Sequence, residues 1–158
     1  TRNAFQSPRG LHAVRDMNES RAWTPGFAAM GGVGAASSLG KFYAVLAGGG
    51  AWEGVRYFSE RALAWMEALQ SEGEDRVFLR PTSFSHGFMM DPRDENGEKR
   101  RRALGDSPRA FGHPGAGGSH AFAYPENGIA FAYVMNQMDL SVLPGIKAQA
   151  LVRGLYGG

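Results

Sequence analysis

Phe111-Gly112-His113-Pro114-Gly115-Ala116-Gly117-Gly118-Ser119, continued by His120-Ala121-Phe122-Ala123-Tyr124, Pro125-Glu126-Asn127-Gly128 and Ile129-Ala130-Phe131-Ala132-Tyr133-Val134-Met135-Asn136, carries the pattern that decides the fold. Three short extended segments, 110–115, 119–124 and 129–136, follow one another closely. The last two are joined by a hairpin-type turn in which Asn-Gly readily adopts positive φ. Residues 129–135 are apolar on both faces, which predicts a central strand covered by helices on each side.

Outward from this stretch the periodicity changes. Upstream, Phe84-Ser85-His86-Gly87-Phe88-Met89-Met90 alternates and predicts another strand. Residues 91–109 are polar and rich in Pro, Asp and Gly, which marks a long exposed loop. Further back, Leu39, Phe42, Tyr43 and Leu46 recur at helical spacing, with Ser37 or Ser38 as a cap and Gly48-Gly49-Gly50 as a stop. A second helix is expected from Ser59, with Glu60 in the first turn where the helix dipole favours an anion. Its apolar face is Ala62, Leu63, Met66 and Leu69. The expected organisation is coil over 1–33, helices within 34–73, antiparallel strands over 84–136 and a closing helix over 144–156. Helices, a meander and a final helix make an α/β (α+β) layer.

Composition narrows the function classes. The 158 residues are 43% hydrophobic and 20% charged, enough apolar content for a packed core. A formal net charge of +2 does not suggest a nucleic-acid binder, and the basic run Lys99-Arg100-Arg101-Arg102 follows Asp91, Asp94, Glu95 and Glu98, so it reads as a solvated mixed-charge loop. With no cysteine there is no disulfide, thiol nucleophile or Cys-ligated metal. No apolar run approaches the roughly 18 residues of a membrane helix. No His-Glu-x-x-His or comparable spacing points to a metal, and no cofactor is expected. The start at Thr1, followed by the turn-rich Ser7-Pro8-Arg9-Gly10, suggests a processed or truncated product.

The segment 111–119 with 121–126 resembles the third motif of serine β-lactamases and the penicillin-recognising esterases and peptidases, where Lys-Thr-Gly or His-x-Gly lines the active site. The strands through Asn136, and upstream 31–50, 63–70 and 84–90, match that family's order, so the resemblance covers nearly the whole chain. It implies that 1–158 is the C-terminal portion of a single β-lactamase/transpeptidase-like domain whose N-terminal half is missing. Sheet strands beside the final ones and the nucleophile helix would come from that half, or a partner would cover the uncovered edge and face.

The same resemblance implies site roles. Acyl transfer by a serine needs two N–H donors aimed at the developing oxyanion, each worth roughly 3–4 kcal/mol when removed. One would come from Ala116, just after the motif's glycine. His113 would face the cavity and hydrogen-bond near substrate, and Pro114, Gly115, Gly117 and Gly118 would form the surface against which substrate lies. Histidine in place of lysine weakens the fixed positive charge that a β-lactam carboxylate would meet, which favours an esterase or peptidase. The expected substrate is a small ester, amide or lactam, processed through an acyl-enzyme.

The family's nucleophile sits in Ser-x-x-Lys and a second motif reads Tyr-x-Asn or Ser-x-Asn; the latter is absent. Ser38-Leu39-Gly40-Lys41 does match the first. Its lysine, however, falls ~150° from the apolar stripe at ~100° per residue, and its place in the chain matches a later helix. Ser38/Lys41 is therefore read as a chance match, and the chain as supplying one wall of the site without the nucleophile. Two alternatives stay open: a non-catalytic scaffold or interaction module, and a minimal hydrolase using Ser38 and Lys41. His86 and His120 read as structural, and His12 lies in coil.

Overall fold

Alternation along a single strand, His120–Tyr124, builds both faces of the sheet. The computed structural model describes residues 16, 18–23 and 32–156. Most of the coil expected over 1–33, with the Ser7-Pro8-Arg9-Gly10 turn and His12, lies outside the described residues. The chain divides into a unit of residues 1–34, whose described part holds a 3₁₀ turn at Ser20–Ala22, and a unit of residues 35–158.

The second unit begins with helix α1 (Ala36–Ala47), a small hairpin of β1 (Ala51–Trp52) and β2 (Val55–Arg56), and helix α2 (Glu60–Glu67). There follow β3 (Ser71–Asp75), β4 (Arg80–Phe84), β5 (Met89–Met90), β6 (Phe111–Pro114), β7 (His120–Tyr124), β8 (Ile129–Tyr133) and helix α3 (Ile146–Leu155). The last six strands form one antiparallel sheet in chain order. A meander of this kind needs only short connections between neighbours.

Successive side chains of a strand point to opposite faces. Ala121 and Ala123 of β7, with Ala130 and Ala132 of β8, face α1, while Phe122 and Phe131 face the other way. Alanines on one side let α1 lie close, with Tyr43 and Leu46 buried against Phe111 of β6. A Cβ built on Gly40 would already stand 3.7 Å from Ala132. Leu63 of α2 joins the same cluster. On the opposite face Phe122 stacks on Phe131 at 5.1 Å, and Leu104, Ala110 and Val152 of α3 close over it. Burying a phenylalanine this completely contributes roughly 2–3 kcal/mol.

Several expectations need correction. The N-cap of α1 is Ala35, without a side-chain cap, so Ser37 and Ser38 fall inside the first turn. Ser59 does cap α2, its Oγ accepting the Ala62 N–H at 3.1 Å. The stretch 34–73 is not helical throughout. A two-residue loop, Glu53 and Gly54, turns β1 into β2 with both residues at positive φ. The six-stranded sheet begins at Ser71 rather than 84: β3 is so polar and exposed that no alternation marks it. Its turn to β4 is held by Asp75 Oδ1, which accepts the N–H of Val77 and Phe78. The strand expected over 84–90 is two strands, because Ser85 N–H bonds the Phe88 carbonyl and Gly87, at φ 94°, reverses the chain.

The loop 91–109 is not simply exposed. Asp91 is buried and gathers Lys99 Nζ at 3.0 Å with the backbone N–H groups of Ala103 and Leu104. The basic run therefore alternates: Lys99 and Arg101 turn inward to Asp91, and Arg100 and Arg102 turn out. Finally, β8 has helices over both faces as expected, yet it ends the described sheet rather than standing in its centre. Burial of two faces produces an apolar run whether or not a further strand lies alongside.

Candidate functional site

β6 is paired with β7 along its whole length, from Phe111 opposite Ala123 to Pro114 opposite His120. On its other side β5 reaches only Phe111 and Gly112. Among the described residues, the His113–Pro114 half of β6 thus has no strand on its β5 side. The turn that follows is closed by Gly115 N–H to the Ser119 carbonyl at 2.7 Å and by Gly118 N–H to the Gly115 carbonyl at 3.1 Å.

Ala116 sits exposed on this turn, and its N–H has no acceptor among the described residues. A free amide on a rigid turn is a ready donor for a developing negative charge. The glycines beside it also meet a local packing requirement. Gly117 and Gly118 have φ of 92° and 112° and are buried. A Cβ on Gly117 would run into Met138, and one on Gly118 would stand 3.3 Å from Asp139 Oδ2. Two further bonds lash this corner down: Gly117 N–H to the Ser141 carbonyl and Asp139 N–H to the Gly117 carbonyl, both 2.8 Å. They are the footing of the turn. A Cβ on Gly115 would meet Ser119 at 3.2 Å, so close approach across the turn accounts for this glycine too.

His113 is exposed and Pro114 buried, on opposite faces of β6. A carbonyl can only accept, so His113 Nδ1, 2.7 Å from the Pro114 oxygen, carries the proton and leaves Nε2 facing outward. The sequence missed Tyr43 as a neighbour of this position. Burial pushes its hydroxyl up to about 12, and the His113 backbone beside it offsets part of that rise. Nothing in the helical spacing of Tyr43 distinguished a tyrosine with a polar neighbour from an ordinary core residue.

Ser38 and Lys41 both lie exposed on α1, and no hydrogen bond joins them. His120 is buried, donates from Nε2 to the Ala103 carbonyl at 2.8 Å, and has its pKa lowered by burial. His86 stacks on Trp65 at 3.8 Å and donates from Nδ1 to that residue's carbonyl. Both histidines serve packing. Among the described residues no three His, Asp or Glu side chains gather as a metal set, and no helix is long and apolar enough to cross a membrane.

The Beta-lactamase family model matches residues 2–153. The Esterase/beta-lactamase LipL of Mycobacterium tuberculosis is 32% identical over 111 residues, 70% of this chain and 23% of the relative. Among solved structures, a family VIII carboxylesterase superposes with a TM-score of 0.66 at 30% identity, over 75% of this chain and 30% of that chain. A penicillin-binding protein homolog from Caulobacter crescentus gives the same TM-score at 31% identity, again over 75% and 30%. The chain spans about a quarter of the length of the curated relative and under a third of these structures. The α/β arrangement of antiparallel strands and packed helices is the one these relatives carry.

Proposed function

This chain belongs to the Beta-lactamase family of esterase- and penicillin-binding-protein-like hydrolases, and on that premise we propose that it forms one wall of a serine acyl-hydrolase site. The observation that carries the reading is the exposed Ala116 N–H, which among the described residues has no acceptor and follows a strand whose outer edge is open there. Ala116 donates to the oxyanion of the tetrahedral intermediates through which the acyl-enzyme forms and breaks down. His113 hydrogen-bonds near the substrate through its outward Nε2. Gly115 and the end of β6 at Pro114 present backbone to an extended substrate, and Gly117 and Gly118 keep the turn in shape beneath it.

Ester substrates fit better than β-lactams, because His113 stands where the Lys-Thr-Gly form of the motif places a lysine to meet a lactam carboxylate. The nucleophile comes from outside residues 1–158. Ser38 and Lys41 are both exposed on α1 and no hydrogen bond joins them, so nothing there holds the amine against the hydroxyl as a base must be held. The same reading sets further strands of the domain beside β8, whose outer edge is free among the described residues.

Labelling with a fluorophosphonate, followed by peptide mass spectrometry, tests the assignment. The expected result is no adduct in this chain and labelling restored when a segment carrying the family's Ser-x-x-Lys is supplied. An adduct on Ser38 would make the chain a self-contained hydrolase and overturn the proposal.

A further inference from the structure

A second site lies on the α3 side of the sheet. Arg80 of β4, Arg101 and Arg102 of the 91–109 loop and Arg153 of α3 line one cavity of about 550 Å³, the size of a small-molecule site. Among the described residues only one carboxylate, Asp106, reaches the lining, and it is taken by Arg102 at 2.7 Å. The guanidinium groups of Arg80 and Arg153 have neither hydrogen bond nor ion pair among the described residues.

Arg101 is the most constrained of the four. Its side chain is 23% exposed, and its Nε is buried without a hydrogen-bond partner. Asp91 Oδ1 stands 3.8 Å away, beyond hydrogen-bonding distance, and that carboxylate is already occupied by Lys99 and two backbone N–H groups. Burial lowers the pKa of Arg101; Asp91 works against that shift, and the charge of Arg80 adds to it. A half-desolvated guanidinium beside a second one, with an orphaned donor, is a costly arrangement unless an anion completes it.

We propose that this cavity binds a small molecule carrying at least two anionic oxygen groups, phosphoryl or carboxylate, held by Arg80, Arg101 and Arg153. Planar guanidinium forks suit bidentate contact with either group. Leu143, Val152 and Tyr156 supply an apolar wall for the body between the charges.

Isothermal titration calorimetry on the whole chain with inorganic pyrophosphate, citrate and acetate tests this. The expected result is saturable one-to-one binding of pyrophosphate or citrate, with none for acetate. Binding of pyrophosphate alone identifies a phosphoryl ligand, and of citrate alone a polycarboxylate. Arg80→Gln/Arg153→Gln should weaken binding about tenfold or more while circular dichroism and thermal unfolding stay unchanged. These two residues are chosen because Arg101→Gln could disturb the Asp91 cluster. Lys41→Gln, a change of one charge on α1, should leave binding unaltered. Absence of saturable binding by both polyanions would overturn the proposal. So would equal weakening by Lys41→Gln, which would reveal diffuse attraction to a basic surface.

Discussion

Asp91 Oδ2 and Lys99 Nζ stand 3.0 Å apart with side chains only 1% and 8% exposed, so the long loop between β5 and β6 is anchored by a buried ion pair. The backbone N–H groups of Ala103 and Leu104 complete the carboxylate's shell. Leu104 is thereby set into the core beneath α3.

Asp91→Ala should destabilise the protein by about 3–5 kcal/mol, the usual cost of leaving a buried charge without its partner. Lys99→Met should cost less, since the carboxylate keeps both N–H donors and Arg101 nearby. Urea midpoints with unchanged slopes measure both. Equal losses would mean that the salt bridge, rather than the carboxylate's wider shell, holds the loop.

Gly117→Ala and Gly128→Ala separate packing from backbone strain. Both residues have positive φ, 92° and 64°. A Cβ at Gly128 meets open space, so the expected loss is about 1 kcal/mol. At Gly117 the new carbon strikes Met138, and the combined loss should reach about 2–4 kcal/mol. Thermal unfolding of the two variants ranks them.

Ala116→Pro removes one N–H while keeping a residue that turns of this kind accept at their second position. In the catalytically complete protein, ester hydrolysis should lose about 10²–10³ in kcat with little change in KM. Thermal unfolding should stay close to that of the parent. An unchanged kcat would remove Ala116 from the oxyanion site.

His120 makes stability depend on pH. Burial lowers its pKa from 6.5, and the Ala103 carbonyl and Asp91 only partly resist that shift. As pH falls below 6.5 the unfolded chain takes up a proton that the folded chain refuses, so the unfolded state gains. The stabilisation is complete above the unfolded value and is lost as pH falls through the folded one, at a slope of at most about 1.4 kcal/mol per pH unit. His120→Gln should flatten that part of the curve in denaturant titrations between pH 7 and 5. An undiminished slope would assign it to other groups.

By itself the sequence determined the end of the meander and its turn. Residues 111–133 show the order of β6, β7 and β8, and the family resemblance was read from the Gly-rich corner among those residues, within the span 2–153 that the family model matches. Helix α2 was legible because Ser59 and Glu60 signal a start locally. Such features depend on neighbours within a few positions. The β3–β4 hairpin was not legible, because an exposed polar strand has no buried face to leave a period in the sequence. That β8 ends the sheet among the described residues was not legible either, since alternation records what covers a strand's faces and is silent about what lies beside it. The same holds for the inward turn of Lys99 and Arg101, for Tyr43 beside His113 and for four arginines around one cavity. Each of these brings together groups distant along the chain, and a charge or hydroxyl acquires its role only from the burial and partners it meets there.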